Sequence, residues 1–381
     1  MINETMTDEQ RAFVEAIRDF AKRECGTHEQ RDALTDHGND PHNQELYKRI
    51  AKLGWLGASI PEEYGGSGGG AVELCLLCEE FARGLIPMAF YSVSMITAGA
   101  YQRFGTEEQK QEILGGIVAG AVESIAMSEP DSGSDVGSLT CKAERQNGGY
   151  VINGQKTWIT GAHKADHILL VCRTTRGANK HEGLSMISVP ADVEGVEIRP
   201  IDTLGGREVN DVFFTDCHVP EDRLLGRHDH AWMQLMAGLN HERLIIAAQL
   251  LGVAERAFED TISYVKERKQ FGRPIGTFQA LRHRLADLAT EIETARLLVY
   301  DVAAKTDADP QRLLPREASM AKLKATETAK RTALEGMQMM GGYGYATEYD
   351  MQHHVRVALA STIYGGTSEI QRDIIAKTYG L

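Results

Sequence analysis

The spacing of apolar residues changes period twice along this chain, and that double switch restricts the fold more than any single motif. Up to about residue 121, apolar residues recur at i, i+3 and i+4, as in Ala12, Val14, Ile17 and Phe20. That is the spacing of a helix with one buried face. Asp8 is expected to cap this helix, and further helices are expected over 46–56 and 72–81. Thr106 and Gln109 form a capping-box pair for another, which Gly115-Gly116 should end. From about Val122 short strand-like runs take over, at 124–127, 150–152, 157–160, 167–172, 184–189 and 209–214. Asn153-Gly154 is the strongest two-residue hairpin signal among them. From about Ala231 the helical pattern returns, over 239–258, 279–306, 316–340 and 368–379. The α–β–α order predicts an α+β protein in three parts: a helical region (1–121), an antiparallel barrel or sandwich (122–228) and a helical bundle (229–381).

Composition narrows the function. The chain has 381 residues, 42% of them hydrophobic, which is enough for a sizeable core and excludes disorder as the overall state. With 41 Lys+Arg against 54 Asp+Glu, the net charge of −13 argues against a nucleic-acid binder. It does not exclude an anionic ligand in a locally basic or amide-lined pocket. Cys75 and Cys78 form a lone CxxC inside a helical pattern, which reads as core rather than as a redox or metal site. His228, His230, His353 and His354 lack a third ligand at a recognisable spacing and read as surface residues, so no metal is expected. The acidic start Met1–Glu9 has no signal-peptide pattern, and no apolar run is long enough for a membrane span. A cytoplasmic protein is expected. The glycine run 65–70 contains a G-x-G-x-x-[GA] match, but no strand precedes it, so it reads as a flexible surface loop rather than a dinucleotide site.

Three segments carry chemistry. In Met127–Asp135, Ser132, Gly133 and Ser134 can offer N–H and hydroxyl donors to an anion or to the polar edge of a ring. An ordinary exposed loop would look the same. Trp158 and Thr160, two apart on a strand, share a face. They suit a flavin, or else a hairpin core. The basic cluster Arg268–Ile275 suits a phosphate, or simply complements a helix C-terminus.

Taken together with Pro61–Gly66, Gln338–Tyr345 and Ile363–Gln371, these segments resemble the acyl-CoA dehydrogenase family of flavoproteins over essentially the whole length. The resemblance implies a helical N-terminal domain, a middle β-barrel and a C-terminal four-helix bundle. It implies FAD, with Met127, Ser128, Trp158 and Thr160 at the flavin and Thr160 near N5. Arg268, Phe271, Gln279, Gln338 and Gly342 match positions that hold the FAD of a neighbouring subunit, and Thr367 and Glu369 match further FAD contacts. Ser134, Arg243 and Tyr364 match substrate positions, and a homodimer or homotetramer follows from the shared cofactor sites. The family passes its electrons to an electron-transfer flavoprotein.

One departure matters. Many members carry the catalytic carboxylate directly after the tyrosine of a Tyr-Glu-Gly-Thr segment, where this chain has Tyr364-Gly365-Gly366-Thr367. Either the protein is not a dehydrogenase or the base comes from elsewhere. A sub-branch that includes the isovaleryl-CoA and long-chain enzymes places it in a Glu-Arg pair on a C-terminal helix, and Glu242-Arg243 matches that pair. A first-turn Glu serving the helix dipole, or pairing with Arg243, is the plain alternative. Gly365 would still lend its backbone N–H to the thioester carbonyl, and would leave space for longer or branched acyl chains. The expected reaction forms a trans-2-enoyl-CoA. A same-fold flavin monooxygenase and a catalytically silent FAD-binding subunit are the rivals.

Overall fold

The computed structural model describes residues 6–381; the first five residues, part of the acidic start considered above, lie outside it. The chain divides into two compact units, one of Gly38–Gly68 and Met88–His241, the other ending at His37 and resuming over Gly69–Pro87 and Glu242–Leu381.

The first of these units holds helices α3 (Gln44–Lys52), α5 (Tyr91–Phe104) and α6 (Glu107–Ala119) and a mixed sheet. Its strands are β1 (Glu123–Ala126), β2 (Lys142–Gln146), β3 (Gly149–Thr160), β4 (His167–Arg173), β5 (Leu184–Pro190), β6 (Val196–Pro200), β7 (Val209–Pro220) and β8 (Leu224–Leu225). The path runs β6-β7-β3-β2-β4-β5-β8, with β1 beside β4. Most pairs are antiparallel as expected, but β1 and β2 both pair with β4 in parallel. One face of the sheet buries Ile152, Ile168, Leu170, Ile187, Val212 and Cys217 in a continuous apolar core.

The expected Asn153-Gly154 hairpin is not there. β3 runs straight through both residues, and the turn is made by Asn147-Gly148, with φ of 50° and 79°. Both Asn-Gly pairs carry the same local signal, and strand pairing decides between them. Only a turn at 147–148 lets β2 pair residue by residue with β3. Gly154 instead sits at a register shift against β7, its α-carbon pressed against Cys141, where a Cβ would lie 2.7 Å from the Cys141 Cα.

The second unit holds α1 (Asp8–Cys25), α2 (His28–Thr35), α4 (Ala71–Arg83), α8 (Gln279–Ala308), α9 (Pro315–Met340), α10 (Gly342–Tyr345), α11 (Met351–Ser361) and α12 (Ser368–Lys377). It also takes all but the first turns of α7 (Ala231–Glu267). Helix α9 packs on α8, α11 and α12. Its buried face is built from small residues, Ala318, Ala321, Ala325, Ala329 and Ala333, which lets neighbouring backbones come close. Between α7 and α8 lies a hairpin of two short strands, β9 (Lys269–Gln270) and β10 (Arg273–Pro274), turned by Phe271-Gly272 at φ 51° and 76°.

Several expected ends move. Thr7, not Asp8, caps α1, because its hydroxyl accepts from the Gln10 N–H while Gln10 answers in a capping box. The box at Thr106 and Gln109 forms as expected, but Gly115 and Gly116 stay helical, and α6 ends at Gly120 in the left-handed conformation (φ 103°). The glycine run 65–70 is no slack loop: Gly66 packs so tightly that an added Cβ would fall 1.9 Å from the Ile60 carbonyl oxygen. Cys75 and Cys78 are buried in α4, and burial pushes the Cys78 thiol up to about 12. His354, expected at the surface, is fully buried with Nε2 2.9 Å from Asp260 Oδ2. Among the described residues, no helix is long and apolar enough to cross a membrane.

Candidate active site

Helix α7 begins eight residues before the expected start, so Glu242 lies three turns inside it. A first-turn role for the helix dipole is thereby removed. The reason is local: Trp232, Leu235 and Met236 continue the apolar spacing, and Gly238 does not break a helix that is buried further on.

Glu242 is 8% exposed. Its Oε2 has no hydrogen-bond partner among the described residues. Burial pushes the carboxyl above the ordinary carboxylate range, against the opposing pull of the positive charges of Arg243 and Lys322. Arg243 is equally buried, and its desolvation lowers its own affinity for a proton. A Cβ built on Gly365 would lie 3.5 Å from Glu242 Oε1. Two residues 123 positions apart in the chain are thus brought together, the carboxylate of one over the bare α-carbon of the other.

Gly365 does not leave the space expected of it. The same Cβ point lies 2.4 Å from Ile246 Cδ1, one turn beyond Glu242 on α7. The volume a side chain would take at 365 is filled by Ile246, so the expected room for longer or branched chains is not at that point. Gly365 and Gly366 both have positive φ, 62° and 83°. Tyr364, before them, is 41% exposed, and Thr367 caps α12 by accepting from the Ile370 N–H, with Glu369 exposed in the first turn.

In the sheet unit, Trp158 is 59% exposed at φ 61°. It stands in a bulge: Thr157 and Trp158 together oppose Asp211 alone, between the pairs Lys156–Val212 and Ile159–Asn210. Beyond the bulge the strand alternates again, with Ile159 buried and Trp158 and Thr160 on the other side. The buried Asn210 amide donates to the Ile159 carbonyl and fixes this edge. Met127 and Ser128, half-buried, leave β1 next to it, and the Thr157 N–H donates to the Ser128 carbonyl at 2.9 Å. Ser134 is exposed on the loop that follows.

Sequence reasoning missed what holds this segment. Lys156 is fully buried, and its Nζ donates to the Met127 carbonyl at 2.8 Å and to Glu129 Oε1 at 2.9 Å. Glu129 also accepts from the Thr140 N–H and hydroxyl and from the Cys141 N–H; against the effect of burial, the Lys156 charge and hydrogen bond, helped by the two backbone N–H groups, hold its carboxyl below the usual range. A lysine on a strand whose neighbours Thr157 and Ile159 are core is the signal that could have revealed it.

In the helical unit, a cavity of about 900 Å³ is lined by Arg268, Phe271, Gly342, Tyr343 and Met339, among others. Phe271 is 92% exposed, and nothing stands within 4 Å of a Cβ at Gly342. Gln338 and Gln279 are exposed on α9 and at the start of α8. A large aromatic held out in a left-handed turn beside a guanidinium suits the flat base and charged phosphates of a dinucleotide. The exposed Trp158 suits an aromatic cofactor ring in the same way.

Known proteins bear on the same residues. The chain matches the acyl-CoA dehydrogenase N-terminal domain over 7–121, the middle domain over 124–217 and the C-terminal domain over 230–380. It is 37% identical to a probable acyl-CoA dehydrogenase of Bacillus subtilis, over 99% of each chain. It is 34% identical to a mitochondrial isovaleryl-CoA dehydrogenase of Solanum tuberosum, over 97% of this chain and 90% of the other. The crystal structure of an acyl-CoA dehydrogenase from Geobacillus kaustophilus superposes with a TM-score of 0.92 at 32% identity, over 99% of each chain. The chain belongs to the acyl-CoA dehydrogenase family. It is an FAD-dependent oxidoreductase that dehydrogenates an acyl-CoA.

Proposed function

We propose that Glu242 is the general base of an α,β-dehydrogenation that converts an acyl-CoA to a trans-2-enoyl-CoA. The observation that carries this reading is the buried Glu242 carboxyl, with one oxygen unpartnered and the other over the Gly365 α-carbon. An α C–H next to a thioester is a weak acid, so its removal needs a poorly solvated base and a donor for the carbonyl oxygen. Glu242 supplies the first. The Gly365 N–H, which makes no hydrogen bond among the described residues, supplies the second. The proton moves to Glu242 as the α,β double bond forms. FAD, when bound, supplies the oxidant for the β-hydrogen and its electron pair.

Met127, Ser128, Trp158 and Thr160 would hold the flavin, with Thr160 at N5. Arg268, Phe271, Gln279, Gln338 and Gly342 would hold the FAD of a second copy, so the enzyme works as a homodimer or homotetramer, and Thr367 and Glu369 would add further FAD contacts. Ser134, Arg243 and Tyr364 would face the CoA thioester. The domain boundaries that go with this reading fall at 121/122 and 228/229. The enzyme would act in the cytoplasm, with an electron-transfer flavoprotein as acceptor.

Anaerobic addition of butyryl-, isovaleryl- and octanoyl-CoA to the purified yellow protein tests the reading. At least one should bleach the flavin, whereas a monooxygenase or a silent subunit stays yellow. Glu242→Gln should keep FAD and lose bleaching. Full activity in that variant sinks the assignment.

A further inference from the structure

Lys322 has so far entered only as a positive charge that opposes the burial of Glu242. It sits on the small-residue face of α9, between Ala318, Ala321, Ala325 and Thr326, and is fully buried. Packing alone would be served by an apolar residue, because an ammonium removed from water is costly unless other groups compensate. The compensation here is directed at one loop. The Lys322 Nζ donates to the Ser361 carbonyl at 2.9 Å and to the Gly366 carbonyl at 2.9 Å. From α12, the buried Gln371 amide donates to the Gly365 carbonyl at 2.9 Å and the Gly366 carbonyl at 3.0 Å. The Ser368 N–H closes the loop on the Thr362 carbonyl at 3.0 Å.

The loop that carries Gly365 is thus gripped through its carbonyls, while the Gly365 N–H is left available. Two successive residues at positive φ need such a grip, since glycines have the most conformational freedom to lose. The charges that face Lys322 are Glu242 and Arg243 from α7, Glu327 on its own helix and Glu369 on α12. Those that face Glu242 are Arg243 and Lys322.

We propose that Lys322 is a positioning residue for the dehydrogenation: its ammonium fixes the loop that presents the Gly365 N–H and sets a positive charge toward Glu242. The proposal rests on Glu242 being the base. The charge opposes the effect of burial on that carboxylate, keeping it ionised over a wider range of pH. Desolvation lowers the Lys322 ammonium itself to about 8, so the charge is in place at neutral pH.

The test uses the FAD-loaded enzyme and whichever of butyryl-, isovaleryl- or octanoyl-CoA reduces it fastest. The anaerobic bleaching rate at saturating substrate is followed against pH for Lys322→Met, Lys322→Arg, Gln371→Leu and Glu242→Gln. Displacing the loop donor by about 1 Å should slow Lys322→Met about 100-fold. Its acid limb should move to higher pH, because Glu242 without the facing charge holds its proton more tightly. Lys322→Arg should restore the acid limb but not the rate, since a planar fork does not match the two carbonyls. Gln371→Leu loosens the same loop and keeps the charge, so its rate should fall with the acid limb unmoved. An FAD-loaded Lys322→Met whose acid limb coincides with that of the parent overturns the proposal. If that variant does not fold, Gln371→Leu decides, and an undiminished rate there overturns it. An active Glu242→Gln sinks the base and this proposal together. An inactive Glu242→Gln beside an unshifted Lys322→Met sinks this proposal alone.

Discussion

Two glutamates of this protein are almost equally buried, Glu129 at 5% and Glu242 at 8% exposure, and they end up in opposite states. Glu129 accepts from Lys156, from the N–H and hydroxyl of Thr140 and from the Cys141 N–H, and its carboxyl is held low. Glu242 faces two cations, yet one of its oxygens has no partner, and its carboxyl is pushed up. Burial is common to both and so does not make a base. What separates them is whether hydrogen-bond donors meet the carboxylate once water is gone. Glu129 is satisfied and holds the Met127–Glu129 segment in place through Lys156. Glu242 is left wanting a proton, and the proposed chemistry gives it one.

The sharpest way to break this comparison is the reaction itself. Glu242→Gln should reduce the rate of anaerobic flavin bleaching by about 10²- to 10⁴-fold at unchanged FAD content, the usual size of a general-base contribution. Stability should rank the two residues the other way round. Glu129→Gln strips a buried ammonium of its counter-charge and should cost about 3–5 kcal/mol in urea unfolding, read as a lower midpoint. A Glu129→Gln variant as stable as the parent would show that Lys156 needs no partner and would remove the structural half of the contrast.

The pH dependence sharpens it further, because the signs differ. Glu129 has a folded pKa below its unfolded value, so its contribution is present above the unfolded value and lost as pH falls through the folded one. For Glu242 the folded pKa is raised above the ordinary carboxylate value of the unfolded chain, so the folded state keeps a proton that the unfolded state releases. Its contribution therefore worsens as pH rises from that value to the folded one. Glu242→Gln should melt higher than the parent at pH 8, and the gain should vanish near pH 4. Glu129→Gln should melt lower at pH 8, and its deficit should shrink in acid. Thermal melts of the three proteins at both pH values measure this.

The sequence discloses these two residues unequally, for physical reasons. The α–β–α order, the Thr106 box and the Glu242-Arg243 pair are all local patterns, and each can be read directly. The partners of Glu242 are not local: Gly365 and Lys322 reach it only through the packing of α7, α9 and the loop before α12. Asn153-Gly154 misled because turn chemistry is local while strand register is collective, and Asn147-Gly148 satisfies the register. Lys156 and Lys322 each sit at a buried position of an element's period. A lysine there is visible in the sequence, but what it grips is not.

The smallest expected effect concerns the room over Gly365. Gly365→Ala puts a Cβ at φ 62° and 2.4 Å from Ile246 Cδ1. Strain at such a position costs about 1–3 kcal/mol. Ile246→Val removes the struck methyl and by itself should cost about 0.5–1.5 kcal/mol. The two changes share one volume, so the double variant should be less destabilised than the sum by at least about 0.5 kcal/mol. Strict additivity in urea unfolding would mean that Ile246 does not fill the space above Gly365. The site would then have room at 365 for a side chain, and the bare α-carbon facing Glu242 would need another explanation than the isoleucine one turn further along α7.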